Sequence, residues 1–208
     1  MGRVINLRWF NKLFKAIFKN KEIIILVSIF LSFVLLGVLR FKGDSNNEWI
    51  ASYLSHYVAI RLNSSFFKIF ISSFLTSLCW MVLILILGTS VFGVINVPLI
   101  LAAFGFFCGN VSAFLYSNYS LKGIAFHSVI MLPSELFCII ALLLCSVSAI
   151  RFSVKTINLT FSKTMPYSLY NDFKICCYNH LVFSVLILIS ALIDALLSIN
   201  FLNSFNLF

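Results

Sequence analysis

Apolar residues in this chain gather into long unbroken runs, and polar residues collect between them. Five runs stand out: Ile23 to Leu39, Ile69 to Leu87, Val97 to Tyr116, Gly123 to Ile150 and Leu181 to Ile199. Strands are shorter than this, whereas a helix needs about 20 mainly apolar residues to cross the hydrocarbon of a bilayer. Bilayer hydrocarbon holds no water, so each segment must satisfy its own backbone N–H and C=O groups, which makes every run a helix. The pattern predicts an all-α polytopic membrane protein with about five transmembrane helices. These form one transmembrane domain over residues 22–208, preceded by a basic segment at residues 1–21.

That first segment has a different pattern. Arg3, Arg8, Lys12, Lys15 and Lys19 recur every three to five residues, which lines them along one face of a helix. Trp9, Phe10, Leu13, Phe14, Ile17 and Phe18 occupy much of the rest. This predicts an N-terminal amphipathic interfacial helix lying among lipid headgroups and attracted by anionic lipid. No small-residue cleavage site follows the first apolar run, which ends in Arg40-Phe41-Lys42-Gly43-Asp44, so that span is expected to be retained.

The connections carry their own signals. Residues 40–68 open on a turn-like Lys42-Gly43-Asp44-Ser45-Asn46-Asn47. Trp49, Tyr53 and Tyr57 then fall at i, i+4 and i+8, the aromatic face expected at a membrane–water boundary. Gly88 to Asn96 and Ser117 to Lys122 read as short turns, and Arg151 to Asn179, with Pro166 inside it, as a long polar connection. Gly105 and Gly109 give the third span a small-xxx-small face for close helix packing. Pro133 interrupts the fourth span, where it removes one backbone hydrogen bond and favours a kink.

Composition agrees with the pattern. The 208 residues are 62% hydrophobic and 10% charged, against about 45–50% and 25% in soluble domains. The net charge of +9 could mark a nucleic-acid binder. Here, however, the basic residues sit between apolar runs, where Lys and Arg set orientation by staying cytoplasmic. With five spans and the N-terminus inside, Arg3, Arg8, Lys12, Lys15, Lys19, Lys21, Arg151, Lys155, Lys163 and Lys174 are cytoplasmic, ten in all, against five outside: Arg40, Lys42, Arg61, Lys68 and Lys122. The bias selects a cytoplasmic N-terminus and an outer C-terminus. The six cysteines include no two-residue-spaced pair, so neither a zinc site nor a redox motif is expected and reduced thiols are the default.

The middle of the chain resembles a known family. The stretch Leu87-Gly88-Thr89-Ser90-Val91-Phe92-Gly93, then Pro98, then Gly105-Phe106-Phe107-Cys108-Gly109, is similar to the stage II sporulation protein M family. The family's Pro-His-Gly-x-x-Glu-x-Pro-Ala-like element falls on Phe126 to Ser134, where His127 and Pro133 agree and Met131 replaces the Glu. Ser190-Ala191-Leu192-Ile193-Asp194-Ala195 resembles the Ala-Ala-x-Ile-Glu-Ala of the final helix. The resemblance covers roughly residues 69–200. It implies a non-enzymatic membrane component, such as the sporulation members that hold peptidoglycan hydrolases together during engulfment. Relatives also occur in circular bacteriocin clusters, where they serve maturation, export or producer self-protection.

Two acids fall inside spans, Glu135 and Asp194. An acid at a helix centre costs about 2.5–3.5 kcal/mol on insertion scales and usually faces protein or water. Under the predicted topology His127 and Asp194 lie at matched depth near the outer face, which makes them the candidate intramembrane polar pair. Glu135, deeper and beside Pro133, is the candidate acid at the kink. Gly88, Gly93, Gly105 and Gly109 are the candidate helix-packing positions. No His-Glu-x-x-His motif or phosphate-binding loop occurs, and Ser134 next to Glu135 cannot face it on a helix. The expectation is a protein that is not an enzyme and needs no metal or cofactor. It would be a scaffold or assembly component of the bacterial plasma membrane. Expected partners are membrane lipids and other membrane proteins, a second copy of itself included, and no nucleic acid. The alternative is a bacteriocin export or immunity component or a transporter subunit.

Overall fold

The computed structural model describes residues 21–41, 48–161 and 169–205. The predicted N-terminal amphipathic helix lies outside them except for Lys21, as does Pro166. Among the described residues every element is helical: α1 (Lys21–Arg40), α2 (Glu48–Asn63), α3 (Phe66–Gly88), α4 (Gly93–Phe126), a π-helical turn (His127–Met131), α5 (Leu132–Phe161) and α6 (Leu169–Phe205). Four stretches are long and apolar enough to cross a membrane: 21–40, 66–88, 93–160 and 169–202.

The third stretch has 68 residues, and as a straight helix it would run about 100 Å, far beyond any bilayer. It does not run straight. Ser120 takes φ 50° and ψ −130°, a left-handed conformation that breaks the helix. Beyond it the chain folds back: Gly123 lies against the Leu115 carbonyl, and His127 Nε2 sits 3.2 Å from Ser112 Oγ. The short limb after Ser120 then runs through the π turn into α5. Pro133 explains the wider turn. Its ring would collide with the carbonyl four residues back and it offers no N–H. The chain answers by letting the Leu132 N–H reach back five residues to the His127 carbonyl. The irregularity expected at Pro133 is therefore this π turn.

One end of the bundle is tied by charge. Arg151 Nε of α5 donates to Glu22 of α1 at 2.8 Å, and Lys155 Nζ donates to Asp172 of α6 at 2.5 Å. The α3–α4 turn lies at the same end, where Ser153 Oγ donates to the Ser90 carbonyl at 2.9 Å and accepts from the Val94 N–H at 3.2 Å. A buried cluster including Phe30, Ile84, Leu101, Leu142 and Ile187 joins α1, α3, α4, α5 and α6. A second cluster packs Ile50, Leu54 and Val58 of α2 against Val111, Leu115, Phe126 and Ile130.

α2 departs from expectation. Its buried residues, Ile50, Leu54, Val58 and Arg61, form one stripe at three- to four-residue spacing. Tyr53 and Tyr57 turn inward, the Tyr53 ring meeting Phe107 edge-on at 4.9 Å and Tyr57 bonding to α6, while Trp49 stays half exposed. Facing outward are large apolar side chains such as Leu35, Leu75, Leu121 and Leu181, each more than half exposed. A surface of that kind is at home in lipid, where helix association rests on close packing and interhelical hydrogen bonds.

Candidate functional site: a polar cavity in the helix bundle

Four helices each contribute polar side chains to one cavity of about 440 Å³. On α2, Arg61 falls one turn after Tyr57, both facing the interior. On α3, Ser72, Ser73, Thr76 and Ser77 sit at i, i+1, i+4 and i+5 and so share one face. Ser134 and Glu135 come from the start of α5, and Ser190 and Asp194 from one face of α6. Tyr53, Trp80, Phe104 and Phe107 complete the wall.

Asp194 is the centre of a buried network. It is 3% exposed and Arg61 is 7% exposed. Its carboxylate accepts from Arg61 Nη2, from Ser73 Oγ and, at 2.9 Å, from the Tyr57 hydroxyl. Arg61 Nη1 also donates to the Tyr57 carbonyl at 3.1 Å, and its guanidinium lies over the Tyr57 ring, 3.2 Å from Cζ to the ring centre. Planar stacking and a forked set of donors are what distinguish Arg from Lys in such a place. A lone aspartate in this setting would carry the full cost of leaving water, and the Arg61 charge offsets it. The network ties α2, α3 and α6 together.

Glu135 stands apart from it. The ionisable side chain beside it is His127, with Nε2 to Oε2 at 3.6 Å, beyond hydrogen-bond range. The expected His127–Asp194 pair is thus not what the structure brings together: Asp194 faces α2 and α3, while His127 faces Ser112 of α4 and Glu135. Both acids singled out in the sequence line the cavity. The charge pattern places Arg61 on the outer flank, whereas the structure buries it on the α2 stripe, within the apolar Val58-Ala59-Ile60-Arg61-Leu62. An intramembrane acid needs a counter-ion, and Arg61 is the basic residue so placed.

The glycines mark close approaches. A Cβ on Gly105 would come within 2.7 Å of the Phe30 carbonyl, and one on Gly109 would overlap the Val34 carbonyl, both on α1. Gly37 answers from α1, 2.5 Å from the Phe106 carbonyl by the same measure. Gly88 and Gly93 let the α3–α4 turn sit on α5, against Ala149 and Ser153. All six cysteines are free, and the described residues hold no group of three or more His, Cys, Asp or Glu placed to bind a metal.

Residues 12–199 match the family model described as Stage II sporulation protein M. The chain belongs to the stage II sporulation protein M family. The matched region enters every described helix and contains the whole polar cavity, both intramembrane acids and the glycine contacts between α1 and α4. Membership in the stage II sporulation protein M family thus covers the fold as a unit. No curated protein and no solved structure matches the chain.

Proposed function

We propose that this stage II sporulation protein M family member is a non-enzymatic scaffold that holds other membrane proteins in a complex. It would cross the bacterial plasma membrane five times with its N-terminus in the cytosol. The family match from residue 12 to residue 199 carries the reading, because it takes in the whole helical bundle. Counting the two limbs on either side of Ser120 separately supports five crossings. The distribution of basic residues supports the orientation. With Arg61 withdrawn into the bundle, the outer side retains Arg40, Lys42, Lys68 and Lys122 against the ten on the N-terminal side. The polar side chains support a holding role: Asp194 is engaged by Arg61, Ser73 and Tyr57, and Ser134 Oγ donates to the Met131 carbonyl at 2.8 Å.

Deleting the gene in its host and following the membrane proteins that co-purify with the tagged chain tests this reading. Those proteins are expected to lose their localisation, peptidoglycan hydrolases among them if the role is that of the sporulation members. Unchanged localisation and assembly would refute the scaffold. The cavity favours a second reading, an export or transport subunit, in which Glu135→Gln would alter flux or peptide tolerance with the complex still assembled.

A further inference from the structure

We propose that the intramembrane cavity binds an organic ammonium group, with Glu135 as its counter-ion. This goes beyond the scaffold role and does not depend on it. Charge balance argues first. Asp194 and Arg61 neutralise each other, and both Asp194 oxygens are already engaged. Glu135 lines the same cavity and accepts no hydrogen bond from the described residues; His127 Nε2, 3.6 Å away and also against Ser112 Oγ, pairs with it as an ion only when it carries a proton. A carboxylate in a helix bundle within lipid calls for a positive partner with hydrogens to give.

The walls specify which cation. Tyr53, Trp80, Phe104 and Phe107 present aromatic surface, which attracts ammonium groups. Ser72, Thr76 and Ser77 supply hydroxyl oxygens to accept the remaining N–H bonds. A bare metal ion would find no group of three or more His, Cys, Asp or Glu placed to hold it among the described residues, and Asp194, the cavity's other carboxylate, is already paired with Arg61. An anion would meet Glu135 with the Arg61 charge already spent on Asp194. The volume, about 440 Å³, lies in the range of small-molecule sites, roughly 300–1,000 Å³. Access also points to an amphiphile. Thr76 and His56 are the exposed rim residues, and Thr76 is the eleventh residue of the 23-residue α3, about 15 Å along it. Beside Thr76 the outer face of α3 is apolar, with Leu75 52% exposed, which suits a ligand that carries an apolar tail. Its ammonium can come from a free alkylamine or from an aminolipid headgroup.

The test uses the full chain in nanodiscs of pure phosphatidylglycerol, titrated with hexylammonium, hexanol and hexanoate and read by calorimetry. Hexylammonium is expected to bind saturably, hexanol about tenfold or more weakly, and Glu135→Gln to cost about tenfold in hexylammonium affinity. Hexanol binding as tightly as hexylammonium, or Glu135→Gln binding it like the wild type, would overturn the proposal. Should Glu135→Gln fail to fold, Trp80→Leu serves in its place: several-fold weaker hexylammonium binding supports the site and unchanged binding overturns it. Replacing half the lipid by phosphatidylethanolamine separates the sources. A competing headgroup lowers the apparent hexylammonium affinity, and an unaltered affinity assigns the site to free amines.

Discussion

Arg61→Met is expected to destabilise the folded protein by about 3–5 kcal/mol, the cost of removing one partner from a buried ion pair. The loss comes less from the contact removed than from what stays behind. Asp194 is 3% exposed, and without Arg61 its charge has only the Ser73 and Tyr57 hydroxyls for company. The single change should therefore loosen α2 from α6 and open the cavity. Arg61→Met combined with Asp194→Leu is expected to recover most of the loss, since an apolar pair of similar volume can replace a buried ion pair at little cost. Recovery will be incomplete, because Ser73 and Tyr57 each lose an acceptor worth about 1 kcal/mol. The measurement is thermal unfolding in detergent followed with a thiol-reactive dye, for which the buried Cys108, Cys138, Cys145 and Cys176 are internal reporters. If the double variant is no more stable than Arg61→Met alone, the pairing of these two charges is not what holds α2.

The apolar helical character of the chain is legible because lipid imposes a pattern that the order of residues reveals: long apolar runs separated by polar, mostly basic segments. Boundaries were less so. α5 continues to Phe161 and α6 starts at Leu169, since a helix need not end where hydrocarbon does, and the Lys155–Asp172 pair holds the two polar extensions together. The acids Glu135 and Asp194 announced themselves by position. Their partners did not. Matched depth brought His127 and Asp194 to attention, but depth fixes only one coordinate of a side chain. The rotation of α6 turns Asp194 toward α2 and α3, and α2 is too short and too polar to read as part of the membrane bundle. Gly105 and Gly109 were visible as a spaced pair, whereas Gly37 stands alone in a run of Leu and Val and becomes meaningful only once α1 is seen against α4.

That seam sets the second large effect. Gly109→Ala is expected to cost about 1–3 kcal/mol through overpacking, and Gly109→Leu more. The obstacle to a new Cβ at 109 is the Val34 carbonyl, with Gly37 Cα behind it at 3.2 Å. Backbone cannot rotate aside as a side chain can, so α1 and α4 must separate along the whole stretch from Phe30 to Gly37. Trimming Val34 to Ala should rescue nothing. Gly88 offers the contrasting case. A Cβ there would meet the Cβ of Ala149 at 2.5 Å, so Gly88→Ala should be destabilising alone and largely restored by Ala149→Gly. The same thiol-reactive unfolding assay reads both, and at 109 the reactivity of the neighbouring buried Cys108 should rise in the folded state as the seam opens. A Gly109→Ala protein with wild-type Tm and an unreactive Cys108 would mean that α1 is not held to α4 by backbone contact. A rescue of Gly109→Ala by Val34→Ala would mean that side chains set the spacing.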